Sequence, residues 1–243
     1  MSETRRTYHQ NIDEVRSEIV RMASTVVEII PRGTQILLDG DLEGADYLIQ
    51  ADDEMDVRAL DVEDHCYRLL ALQQPMASDL RVIVSALRIT SEIERSADLV
   101  ANICKGARRI HGHTLEPKLR GIVARMAEQA QLLFTRAIDA YVDGDASLAA
   151  AIDDMDDLLD RLQSELVQAI FESHAAGHID LQVAVQLAVI ARFYERIGDH
   201  AVNIGERVRY MVTGWVPEHA GAARLRARQE LAAADAQSVS PEP

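Results

Sequence analysis

The chain has few of the residues that build turns, stacks or cross-links. Among its 243 residues there are 12 glycines, 6 prolines, 2 cysteines, 1 tryptophan and only 4% aromatics. A β-sandwich or barrel needs frequent turns and strand-favouring aromatics, so that class is excluded. Cys66 and Cys104 have no CxxC spacing, which excludes a disulfide scaffold or a zinc knuckle. No apolar run approaches the roughly 18 residues of a membrane span. Met1–Arg6 has no apolar stretch behind it, so no secretory signal is expected. The expectation is a reduced, cytoplasmic protein that meets a membrane only through partners. Basic residues are also scarce: 25 Lys and Arg stand against 40 Asp and Glu, for a formal net charge of −15. Phosphate backbones are bound by clustered Lys and Arg, so no nucleic-acid partner is expected.

What is abundant is helix-forming sequence. Hydrophobic residues make up 48% of the chain, enough for a sizeable core. Breakers fall at Asp39-Gly40-Asp41, Gln73–Ser78, His111–Pro117, Asp143-Gly144-Asp145, His174–His178 and Gly214 with Pro217. They leave six segments of about 25–35 residues rich in Ala, Leu, Glu, Arg and Met. Apolar residues recur at helical spacing, as in Val82, Leu87, Ile89, Ile93, Val100, Ile103 and in Leu158, Leu159, Leu162, Leu166, Ile170. The methionines Met22, Met55, Met126 and Met155 fall at core positions of the same pattern. Pro31 should kink or break the first helix. Helices this long need partners along their length, which predicts an all-α fold of antiparallel bundles.

The chain is also written twice. At an offset of 101, residues 91–110 match 192–211 at Glu94/Glu195, Arg95/Arg196, Asp98/Asp199, Asn102/Asn203, Ile103/Ile204 and Arg108/Arg209. Further upstream the offset is 104: Asp39-Gly40-Asp41 lies over Asp143-Gly144-Asp145, Asp52 over Asp156, and Asp56 over Asp160. A repeat this long is a duplicated domain and not a solenoid unit. The fold expected is two tandem three-helix bundles. The first repeat spans 8–112, the second 117–215, and 218–243 is partly helical and then disordered. The duplication also locates the charge. Residues 39–64 hold eleven acids against Arg58, and 143–165 hold eight against Arg161, nets of −10 and −7.

Four pairs follow the pattern acid-x-x-x-Asp: Asp52/Asp56, Glu94/Asp98, Asp156/Asp160 and Glu195/Asp199. Residues four apart share a helix face, where like charges repel. Either solvent and the adjacent Arg95 and Arg196 neutralise them, or a hard or borderline cation does. A lone acidic pair is ordinarily a solvated face. Glu94 and Asp98, however, sit in an otherwise apolar helix, and the arrangement repeats. No phosphate-binding GxxxxGK[ST] loop, GxSxG elbow or HExxH is present. His200 stands where the first repeat has Leu99 and is read as a packing or surface histidine. The short cluster Arg224, Arg226, Arg228 is read as solvated.

Glu94-Arg95-Ser96-Ala97-Asp98 and Glu195-Arg196-Ile197-Gly198-Asp199-His200-Ala201-Val202-Asn203-Ile204 resemble the repeated signature of the PhoU family of phosphate-transport regulators. Leu69–Pro75 followed by Ser78-Asp79-Leu80-Arg81 resembles that family's loop between its second and third helices. The first copy departs at Ser96-Ala97, where Ile-Gly is usual. The resemblance implies two three-helix bundles related by a pseudo-twofold, and a metal site on Asp52, Asp56, Glu94, Asp98, Asp156, Asp160, Glu195 and Asp199. Iron is the first candidate, then Mn, Zn or Mg. It further implies a homodimeric, non-enzymatic adaptor that represses the phosphate-starvation response. Its partners would be a sensor histidine kinase and the ATPase subunit of a phosphate ABC transporter. A metal-dependent phosphohydrolase and a structural dimerisation protein are the alternatives.

Overall fold

A computed structural model describes residues 3–215, and the sequence-based reading of 218–243 lies outside the described residues. The described chain is six helices: α1 (Glu3–Asp39), α2 (Leu42–Gln73), α3 (Ser78–Arg109), α4 (Pro117–Asp143), α5 (Ala146–Ala175) and α6 (Leu181–Thr213). Each break falls at its expected punctuation. Gly40 and Gly144 take left-handed φ of 68° and 62°, which end α1 and α4. Asp41 and Asp145 then cap α2 and α5 by accepting from Gly44 N and from Ser147 and Leu148 N.

Within each half the three helices pack on one another, and α1 against α4 and α3 against α6 join the halves. Met22, Met126, Phe134, Tyr141, Ile89, Ile103, Leu187 and Tyr194 belong to one continuous core. Of the apolar positions read from periodicity, Leu158 alone is substantially exposed.

The joints show the pseudo-twofold atom by atom. Arg16 donates to the Val142 carbonyl at the end of α4, and its counterpart 104 residues on, Arg120, donates to the Leu38 carbonyl at the end of α1. The helices are therefore antiparallel, each with its last turn closed by the other's arginine. Other pairs between the halves are polar on one side only. Thr34 Oγ1 meets Tyr194 Oη at 2.6 Å inside the core. By the offsets, the counterparts of these two residues are Ile138 and Ile93. Since the Thr34 hydroxyl already donates to Ile30 O, Tyr194 is the donor to Thr34.

Pro31 does not break α1, contrary to the sequence-based expectation; the helix is continuous from Glu3 to Asp39. Proline removes the N–H that would bond Val27 O, and the Gln131 side chain of α4 supplies a donor at 3.0 Å instead.

The cysteines are buried and free. Burial pushes the Cys66 thiol up to about 12 and the Cys104 thiol up to about 11, so neither is a thiolate at neutral pH.

Candidate metal centre

The four acidic pairs come together two by two. Asp52 and Asp56 on α2 face Glu94 and Asp98 on α3; Asp156 and Asp160 on α5 face Glu195 and Asp199 on α6. Each cluster is layered. Asp52 with Glu94, and Asp156 with Glu195, form the inner pairs; Asp56, Asp98, Asp160 and Asp199 are exposed at the rim.

The inner carboxyls show strain as shifted proton affinity. Burial, with the neighbouring Asp98, Asp56 and Glu94 charges, pushes Asp52 up to about 6. Burial, with Asp160, Asp199 and Glu195, pushes Asp156 up to about 7. Glu94 and Glu195 are raised for the same reasons, burial first. Two oxygens of the second cluster, Asp156 Oδ1 and Glu195 Oε2, are buried with no hydrogen-bond partner. An unpartnered buried carboxylate oxygen is costly, and a hard cation or a proton is what relieves it. The donor set fits a hard cation: eight carboxylates, no soft ligand, and in the second cluster two buried oxygens without a partner. Among the described residues no three acidic, His or Cys side chains already converge on one point.

The local cations are only partly those read from the sequence. Arg95 does oppose the shift of Glu94, and Arg196 that of Asp199. Two others were missed. Lys105, one turn beyond Asn102, acts on Asp52 and also donates to Asn102 Oδ1 at 3.1 Å. Arg192, one turn before Glu195, binds its Oε1. Their pseudo-symmetric counterparts are Glu206 and Ser91, so the duplication gave no signal for either.

His200 lies neither at the surface nor in a purely apolar setting. It is 5% exposed, and its Nδ1 contacts Glu92 Oε2 at 2.6 Å across the α3–α6 joint. Asn203 donates to the same oxygen at 3.2 Å. Burial raises the Glu92 carboxyl, but the hydrogen bonds from His200 and Asn203 outweigh it and hold it below its usual value. The counterparts of Glu92 and His200 are Phe193 and Leu99, so this contact too is polar on one side only. Asn102, the counterpart of Asn203, donates to Asp98 instead, at 3.1 Å.

Comparison with known proteins bears on this duplicated arrangement of carboxylates. The PhoU domain model matches residues 19–107 and again 123–208, one match per repeat. The chain belongs to the PhoU family. It is 35% identical over 214 residues to "Phosphate-specific transport system accessory protein PhoU homolog 1" of Mycobacterium tuberculosis, covering 88% of this chain and 96% of that relative. It is 30% identical over 227 residues to the PhoU homolog of Pseudomonas aeruginosa, covering 92% of each. The crystal structure of PhoU from Pseudomonas aeruginosa superposes with a TM-score of 0.80 at 28% identity, covering 86% of this chain and all of that one. The phosphate transport system regulatory protein PhoU of Streptococcus pneumoniae superposes with a TM-score of 0.78 at 25% identity, covering 86% of this chain and 98% of that one. The all-α, duplicated three-helix architecture expected for the PhoU family is the one observed. No helix among the described residues is long and apolar enough to cross a membrane.

Proposed function

We propose that this PhoU-family chain is a non-enzymatic accessory protein of phosphate-specific transport that represses phosphate uptake and the phosphate-starvation response. It acts as a cytoplasmic adaptor, in homodimeric form, between the ATPase subunit of a phosphate ABC transporter and a sensor histidine kinase. The observation that carries the reading is the pair of carboxylate clusters that the duplication repeats, each on a strongly acidic helix. Such a surface suits holding cations and docking basic partner faces. The relatives' names, as accessory proteins of phosphate-specific transport, support the same role.

Asp52, Asp56, Glu94 and Asp98 would hold one metal group, and Asp156, Asp160, Glu195 and Asp199 the other, iron first and Mn, Zn or Mg after it. Bound metal would supply positive charge that fixes α2 on α3 and α5 on α6; this chain's own residues orient the carboxylates and partly bury the inner pair. Signalling is then a change in partner occupancy or conformation and involves no turnover.

The test is paired. Full-length protein incubated with membranes carrying the transporter ATPase and the kinase should recover one or both in pull-down, less so as salt rises. The same preparation with Mn²⁺ or iron should not turn over phosphate esters. Robust phosphatase activity lost in Asp199→Ala would sink the adaptor reading in favour of a metal-dependent phosphohydrolase.

A further inference from the structure

The two clusters match in ligand type but not in what surrounds them. At Gly198 on α6, a Cβ would stand 2.4 Å from Asp156 Oδ1 and 2.7 Å from Leu159 Cδ2. The Asp156 carboxylate therefore occupies the space a side chain would need. The position equivalent to Gly198 in the first repeat is Ala97, whose methyl is buried. Beside Ala97 and Asp52 lies a cavity of about 40 Å³ between α1, α2 and α3.

The second difference is the state of the oxygens. Glu195 is 9% exposed, and its Oε2 and Asp156 Oδ1 are buried without a partner; among the described residues no carboxylate oxygen of the first cluster is in that condition. Arg192 occupies Glu195 Oε1 and leaves Oε2 free. Each cluster has a basic neighbour, Arg192 on Glu195 and Lys105 near Asp52, so local cations do not separate the two. The first cluster also opens along Asp56, Glu63, Ser91 and Glu94 into a groove of about 290 Å³. Desolvated, unpartnered oxygens gain most from a cation, and oxygens open to water gain least.

We propose that the clusters are inequivalent cation sites. The second, walled by the bare backbone of Gly198, fills first and holds a hard cation more tightly. The first, with Ala97 and an open groove beside Glu94, is the weaker and exchangeable one. Gly198 is thus a positioning residue: it touches no ion and leaves the space that the Asp156 carboxylate occupies. The inference rests on the cation-binding reading above.

Metal-free full-length protein titrated with Mn²⁺ by calorimetry, with free Mn²⁺ followed by electron paramagnetic resonance, tests it. Two classes of site are expected. Glu195→Gln should abolish the tighter class and Glu94→Gln the weaker one. Gly198→Ala should weaken the tighter class by about tenfold to a hundredfold. Ala97→Gly should tighten the weaker class, a gain that no loss of folding can imitate. Circular dichroism checks that each variant is helical, and the glutamine variants decide the matter if Gly198→Ala does not fold. Equal affinities, or loss of the tighter class in Glu94→Gln, would overturn the inequivalence while leaving cation binding intact. No Mn²⁺ uptake by the unaltered chain would overturn the cation reading and this inference with it.

Discussion

The Gln131 side-chain amide donates to the Val27 carbonyl, and these two residues are each other's counterpart in the duplication. The contact therefore lies on the pseudo-twofold axis of the α1–α4 joint. It replaces the backbone bond that Pro31 removes from α1. Gln131→Leu strands a carbonyl and should lower stability by about 1–3 kcal/mol in denaturant unfolding. Restoring the N–H with Pro31→Ala should shrink that cost in a double-mutant cycle; equal costs in both backgrounds would show the two are uncoupled.

Arg16 and Arg120 perform the same task at opposite ends of the same joint, on Val142 and Leu38. Each alanine substitution should cost about 0.5–1.5 kcal/mol, the two nearly equal and additive because the sites lie far apart. Thermal melts of the two single variants and the double variant measure this, and a single variant costing as much as the double would refute independence.

His200→Leu reproduces the apolar residue found in the first repeat, yet it should destabilise by about 2–3 kcal/mol, because Glu92 is left across the joint without its main partner. Adding Glu92→Leu should recover most of the loss. Failure of the second change to rescue would show that His200 acts through packing and not through Glu92.

The raised inner carboxyls set a pH dependence. Asp52 and Asp156, ordinarily at 3.8, titrate at about 6 and about 7 when folded. Their stabilising contribution is full below the unfolded value and is lost as pH rises through the folded ones. Metal-free protein should therefore melt at lower temperature at pH 8 than at pH 5, and Asp156→Asn should flatten the slope. With Mn²⁺ the trend should reverse, since the cation binds the deprotonated clusters. A Tm independent of pH between 5 and 8 in metal-free protein would contradict the burial of these groups.

The fold was legible because helix punctuation is local. Gly40, Gly144 and the aspartates after them end and restart helices wherever the rest of the chain goes. The four acidic pairs were legible because a helix puts i and i+4 on one face. The resemblance named all eight as ligands, and which pairs meet is set by how α2 packs on α3 and α5 on α6. Glu92, Lys105 and Arg192 were not legible, since none is repeated at the offset that revealed the others. The continuity of α1 at Pro31 was hidden for a related reason: the compensating donor comes from Gln131, a hundred residues away. Contacts across the joints depend on distant partners, and periodicity within one helix carries no trace of them.

The one-sided polar pairs have a consequence for which halves can combine. Glu92 and Thr34 belong to the first half, His200 and Tyr194 to the second. Two first halves brought together about the same axis would set Glu92 against Leu99 and Thr34 against Ile93. Two second halves would set His200 against Phe193 and Tyr194 against Ile138. Either mismatch buries a charge or a hydroxyl with nothing to answer it. Ancestrally interchangeable modules have thus acquired complementary sexes: each half now accepts only the other, and exchange of halves between neighbouring molecules still has to reunite a first with a second.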